Sequence, residues 1–262
     1  MISLDGNISF RSEKEVDAFC KWFLRISVSD IRDEFKSKEE WNDFKLQRDR
    51  RLKVQIDDLR KLKFNSPMIN PIKNVTYFKI VKKGRKSLSS EGAAKANSRF
   101  NYKNNDEFRN RVIYFGQDKS CCYTEMFHLD IQKANYQDIV KEQCKRSSDE
   151  LEYEFKPYEY EVFEYKISMD NILVLTAESS YKALGIPDRV VKDEWFSIND
   201  EFEIPTSGQI LATIVRKRGY KGIMYTSVRT QTKYNLVLFE ENTGKLDFKI
   251  ENQYSLSNED IL

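Results

Sequence analysis

Near residue 70 the hydrophobic pattern of this chain changes its period, and the change limits what each side can fold into. Before it, apolar residues recur at helical spacing: Val16, Phe19, Phe23 and Ile26, then Trp41, Phe44, Ile56 and Leu59. Ser12 stands three positions before Glu15, and Ser37 three before Glu40. In that pattern the serine caps a helix and the glutamate bonds back, so residues 12 to about 64 read as two helices. The second carries QRDRRLKVQIDDLRKLK, a run of both charge signs that reads as a solvated face, with a partner or nucleic-acid surface as the minority alternative. The stretch FNSPMINPIKN, with Pro67 and Pro71, then reads as a turn-rich linker that stops the helix.

Beyond the linker the runs are short and β-like: TYFKIV at 76–81, RVIYF at 111–115, YEVFEYKI near 160, NILVLT at 171–176, GIMYT at 222–226 and NLVLF at 235–239. Helices intervene. Asp118 can cap a helix through SCCYTEMFHL, and TSGQILATIVRKRG reads as another that ends at Gly219. The expectation is an α+β fold: an N-terminal helical region over residues 1–70 and a mixed core domain over 71–262.

Several function classes are disfavoured early. No run approaches the ~18 apolar residues that cross a bilayer, and MISLDGNISFRSEKE lacks the plan of a secretory signal. The sequence thus points to action in the cytoplasm without membrane attachment, and leaves open signal-free delivery into another cell. Forty-four Lys plus Arg against forty-two Asp plus Glu give a net charge of +2, too balanced for a general grip on nucleic acid, so no direct nucleic-acid contact is expected. Cys20, Cys121, Cys122 and Cys144 fall in no metal-ligand spacing and read as free thiols. With His128 the single histidine, and itself read as structural, a Ser-His-Asp triad or a multi-histidine metal centre is close to excluded. Chemistry must rest on carboxylates, hydroxyls and arginines, with no metal.

Three segments can supply it. The loop GRKSLSSEGAAKANSRFN is rich in small and polar residues and places Arg99 before a strand, where it could fork two hydrogen bonds to a phosphate or carboxylate; composition alone favours a surface arginine. Tyr114 lies inside that strand and Glu125 eleven positions on, in a helix. Composition alone makes them core filler and solvated residue, but the helix has little polar face, with Tyr123, Met126, Phe127 and Leu129 around the carboxylate. The third segment, KGIMYTSVRTQTKYNLVLF, holds Ser227, Arg229 and Asn235 in or beside a polar loop between two strands. Without a neighbouring histidine, Ser227 suits hydrogen bonding better than nucleophilic attack.

In order, these segments resemble the RES domain, a bacterial toxin family named for an Arg, a Glu and a Ser in its motifs. The likeness spans about residues 76 to 250. YFKIV is similar to the family's opening strand, with Lys79 where Arg is usual; EGAAKANSRFN is similar to its Gly-Arg-Trp-Asn loop, with Ser98 and Phe100 at the Gly and Trp positions. VIYFGQDKSCCYTEMFHL keeps the Tyr-to-Glu interval, and GIMYTSVRTQTKYNLVLF is similar to the closing Tyr-Pro-Ser-Val-Arg form, with Thr226 for Pro. Residues 1–70 match nothing in that domain.

The resemblance implies an ADP-ribosyltransferase-like core of two small β-sheets with flanking helices, with NAD in the cleft between the sheets as substrate rather than cofactor. It implies destruction of NAD at the nicotinamide-ribose bond, by water (glycohydrolase) or phosphate (phosphorylase), in a toxin that depletes cellular NAD. Arg99, Tyr114, Glu125 and Ser227 would be the reactive residues, with Lys79, Arg229 and Asn235 joining Arg99, Tyr114 and Ser227 in binding NAD. A mono-ADP-ribosyltransferase acting on a protein, and a non-enzymatic partner-binding module, are the alternatives. Implied partners are an antitoxin or immunity protein that occludes the active site; residues 1–70 could hold such a partner, form a homo-oligomer or aid delivery.

Overall fold

The computed structural model describes residues 38–64, 69–126, 159–186, 195, 199, 204–230, 232–244 and 248–256. The first helix read from the sequence, Ser37, His128, Cys20 and Cys144 lie outside them, as do the side chains of Trp41 and Phe44. Helix α1 (Lys38–Arg60) is the second helix of the N-terminal region. Leu59 is buried and Leu52 and Ile56 are partly buried against the core, the helical spacing that placed them on one face. The Arg218 guanidinium holds the helix end, donating to Arg60 O at 2.7 Å and to Leu62 O and lying 4.7 Å from the Phe64 ring centre, a cation at the carbonyl terminus.

Strand β1 (Ile69–Lys82) begins inside the stretch read as a linker. Pro71 is tolerated there because the ladder is irregular: register shifts fall between Asn70 and Ile72 and between Ile72 and Val75, where a missing N–H costs no bond. Then follow the single-turn α2 (Glu91–Ala94), β2 (Val112–Gly116), α3 (residues 119–126), β3 (Tyr160–Leu175), α4 (Glu178–Leu184), α5 (Ser207–Lys217), β4 (Gly222–Thr226), β5 (Tyr234–Phe239) and β6 (Phe248–Ser255). The Asp118 cap stands, its carboxylate accepting from Cys121 N at 2.7 Å, and α5 gives way to Gly219 at φ 81°.

The expected two small sheets are replaced by one sheet closed on itself. Its order is β1-β2-β5-β4-β3, with β1 also paired to β3 and β6 added outside β3. All pairs are antiparallel except β3 with β4, which α4 and α5 connect as a parallel pair requires. Closure follows from strand length. The sequence reads 160–176 as two strands, but they are one of sixteen residues. Its first half pairs with β1 and β6, and its second half with β4 and the start of β1. Asn171, at φ 54°, makes a kink rather than a turn, a left-handed conformation that asparagine tolerates. The kink shifts the alternation by one residue: Phe163, Tyr165, Ile167 and Met169 face the barrel interior, and so does Ile172.

Alternation sorts the other strands between two cores. Ile113, Phe115, Leu236 and Leu238 fill the barrel. Val112, Val237, Phe239, Ile223 and Tyr225 point outward and are covered by α5, α4 and α1, as period-2 geometry demands. Buried Ile210, Leu211, Ile214 and Val215 of α5 form the lid of that outer core. Among the described residues no helix is long and apolar enough to cross a membrane.

Candidate functional site

The outward face of β2, β5 and β4 runs past the end of the outer core and carries the polar residues singled out from the sequence. Ser227 follows directly on β4, Asn235 lies at the start of β5 and pairs across the ladder with both Tyr225 and Gly116, and two residues separate α3 from β2. Three chain segments therefore meet at one corner. There Ser227 Oγ donates to Glu125 Oε1 at 2.6 Å and Asn235 Nδ2 donates to the same oxygen at 2.8 Å. Glu125 is half-buried while Ser227 and Asn235 are buried, and hydrogen bonds to a carboxylate are strong in such surroundings. Cys121, one turn before Glu125 on α3, donates its thiol to Asn235 Oδ1 at 3.1 Å and so fixes which way the amide faces.

Ser227 has no capacity left for attack. Its Oγ accepts from the backbone N–H groups of Arg229 at 3.2 Å and Thr230 at 3.1 Å while its proton goes to Glu125, which uses its one donor and both lone pairs. Glu125 is different. Oε1 takes both bonds, and Oε2 has no hydrogen-bond partner among the described residues.

Arg99 sits in a tight turn closed by the Ser98–Asn101 bridge, with N···O distances of 2.9 and 3.1 Å. Phe100, beside it, is fully buried, its ring stacked 6.5 Å from Tyr114 and edge-on 4.9 Å from Tyr225. The Tyr114 hydroxyl accepts from Phe100 N at 3.2 Å and bonds Ser98 Oγ at 2.9 Å. Burial pushes this phenol up to about 12, Arg99 pulls it back and Glu125 raises it. The turn's cation and the helix's carboxylate therefore both act electrostatically on one hydroxyl.

The remaining candidates lie elsewhere. Arg229 is exposed at the rim. Lys79 is on the barrel side of the sheet, with Nζ 3.5 Å from Tyr114 O and 5.5 Å from the Phe115 ring centre, across β2 from the Tyr114 side chain. Burial lowers its amine to about 8, partly offset by Cys122. Below pH about 8 the amine is charged in both folded and unfolded chains, so its burial penalty is full there. Between about 8 and the ordinary 10.5 only the folded chain has lost the proton, and stability rises. Lys79→Met should accordingly stabilise the protein by about 1 kcal/mol at pH 7, the gain fading as pH approaches 10.5. Melting curves at several pH values check this; a gain that grows with pH would contradict it.

Four residues to which the sequence assigns no role support the Arg99 turn, directly or through one another: Asn101, the Asn of the loop motif, and Asn110, Asn199 and Gln209, all buried. Asn101 Nδ2 donates to Ala93 O and Ala96 O at 2.6 and 2.7 Å, and Asn110 Nδ2 to Phe100 O at 2.7 Å. Gln209 completes a capping box with Thr206 on α5, a pattern legible in TSGQ. Its side chain goes further and binds the turn's carbonyls. A cavity of about 220 Å³ between α1 and α5, lined in part by Ile56, Phe108, Ile210 and Ile214, includes none of Arg99, Tyr114, Glu125, Ser227 and Asn235. Among the described residues no group of His, Cys, Asp and Glu is placed to hold a metal.

Known proteins place the chain. The model of the RES domain matches residues 76–257. No curated protein matches. Among solved structures, a chain of the M. tuberculosis MbcT-MbcA toxin-antitoxin complex is similar at 13% identity and a TM-score of 0.49, covering 78% of this chain and 92% of that one.

Proposed function

We infer that this chain, which belongs to the RES-domain family, is an NAD-degrading toxin that cleaves the bond between nicotinamide and ribose. The observation that carries this reading is the state of Glu125: one carboxylate oxygen is anchored by Ser227 and Asn235 and the other is without a protein partner among the described residues. Breaking the bond sends its electron pair to nicotinamide, which leaves as a neutral ring and needs no acid. That suits a chain with a single histidine. Positive charge develops on the ribose, and a fixed carboxylate stabilises it as it forms. Water or phosphate then supplies the oxygen that bonds to the ribose carbon, and water gives up its second proton to solvent.

The other residues have defined parts in this reaction. Arg99 neutralises the pyrophosphate from its rigid turn. Ser227 and Asn235 orient Glu125 rather than react. Tyr114 holds the turn through Ser98 and Phe100. The catalytic unit is residues 71–262, acting in the cytoplasm, and an antitoxin or immunity protein that occludes the cleft is its protein partner.

Production of the chain alone in bacteria tests this. Growth should stop and cellular NAD should fall, and Arg99→Ala or Glu125→Gln should restore both. If either variant stays as toxic as the wild type, NAD chemistry is not the cause of arrest. Label from NAD appearing on a protein, with no free ADP-ribose, would replace this reading with ADP-ribosyl transfer.

A further inference from the structure

A second phenol stands beside Glu125, the tyrosine of the closing GIMYTSVR motif, to which the resemblance gives no role. Tyr225 is the residue of β4 that pairs across the ladder with Asn235, and it stands two residues before Ser227, on the same face of the strand. Both donors to Glu125 are therefore its immediate neighbours. Its ring is fixed edge-on by Phe100, with centres 4.9 Å apart. The side chain is 3% exposed.

Among the described residues its hydroxyl has no hydrogen-bond partner, in contrast to that of Tyr114, which is occupied by Ser98 and Phe100. Nor is it sealed away: among the described residues the one fully buried side-chain nitrogen or oxygen without a partner is Arg216 Nε. A phenol with a free proton, held in place by its ring packing and still reachable from outside, is placed to donate to a ligand beside the carboxylate. The charges of Glu125 and Arg99 both act on this hydroxyl, and burial raises it well above the ordinary tyrosine range. It is thus a neutral donor at any physiological pH.

We propose that Tyr225 is a further substrate-contacting residue, whose hydroxyl donates to an oxygen of the nicotinamide-ribose half of bound NAD next to Glu125. This rests on the NAD-cleaving reading above. It also gives the two tyrosines different roles, with Tyr114 positioning the Arg99 turn and Tyr225 meeting the substrate. The acceptor is a ribose hydroxyl or the carboxamide oxygen, both neutral oxygens that a phenol can serve.

Steady-state NAD cleavage and thermal melting of Tyr225→Phe and Tyr114→Phe, each in the full chain, separate these roles. Tyr225→Phe breaks no bond within the described residues, so its melting temperature should equal or exceed that of the wild type while kcat/KM falls about tenfold or more. Tyr114→Phe should lower the melting temperature, because Phe100 N and Ser98 Oγ lose their partner. Wild-type kcat/KM in Tyr225→Phe, or a loss matched by an equal loss of folded protein, overturns the assignment and leaves the NAD reading standing. Wild-type protein that leaves NAD intact overturns that reading, and this assignment with it.

Discussion

Glu125→Gln should lower the rate of NAD cleavage about a thousandfold with the fold unchanged. Glutamine keeps an oxygen that can accept from Ser227 Oγ and Asn235 Nδ2, so the corner where β4, β5 and α3 meet survives. What it loses is the negative charge. A carboxylate about 4 Å from a developing cation, in surroundings of effective dielectric about 20, contributes on the order of 4 kcal/mol to the transition state, close to three powers of ten in rate. Substrate binding changes much less, because ground-state NAD carries its positive charge on the nicotinamide ring rather than on the sugar. The effect should thus appear in kcat with little change in KM. If the variant turns over NAD within a factor of ten of the wild type, Glu125 is not the stabilising group.

The second large effect is on stability as well as rate. Gln209 Nε2 lies 2.7 Å from Ser98 O, 3.0 Å from Asn101 O and 2.6 Å from Asn199 Oδ1, and its Oε1 accepts from Thr206 N at 2.8 Å and Asn199 Nδ2 at 2.9 Å. The side chain is fully buried. Gln209→Leu takes the hydrogen-bond partner from buried Thr206 N and Asn199 Oδ1, at about 1–3 kcal/mol each, and one of two bonds from each of Ser98 O and Asn101 O, so a loss of about 3 kcal/mol is expected. The two weakened carbonyls flank Arg99 and Phe100, so the folded fraction should also bind NAD more weakly, read as a rise in KM at temperatures where the variant is still folded. Unchanged melting and unchanged KM would show that the α5 clamp does not hold the turn.

How much of this is legible in the chain depends on the range of the interactions. β4 and β5 are readable almost to the residue, because GIMYT and NLVLF carry dense β-formers bounded by glycine or polar loops. β6 is not: FKIENQYS is mostly exposed, with one face of its polar alternation in solvent and one edge paired to β3, so no hydrophobic period marks it. The two-sheet expectation, which rests on the resemblance, fails because the runs read as two strands, YEVFEYKI and NILVLT, are one strand kinked at Asn171 and long enough to pair along β1 and close the barrel. Closure rests on contacts between residues about 90 apart, such as Lys79 with Phe163 and Tyr77 with Tyr165, which no local pattern reports.

The site follows a similar division. Glu125, Ser227 and Asn235 are found by motif, and the hydrogen bonds unite them across more than 100 residues of chain. Lys79 is grouped with them by its motif, but strand parity puts it across the sheet, in the barrel. Gln209 escapes notice, and Tyr225 is given no role although it lies in the closing motif, because a capping glutamine and a strand tyrosine look like ordinary structure until their contacts are traced. The contact of Glu125 with Ser227 and Asn235 depends on the corner of β4, β5 and α3 and not on whether the sheet is split or closed.

The most direct measurement is to incubate the purified full chain with NAD, with and without inorganic phosphate, and separate the products. Nicotinamide should appear in a one-to-one ratio with ADP-ribose or, where phosphate is the attacking group, with ADP-ribose bearing that phosphate on the ribose carbon. Folded protein that leaves NAD intact under both conditions would contradict the NAD-cleaving assignment.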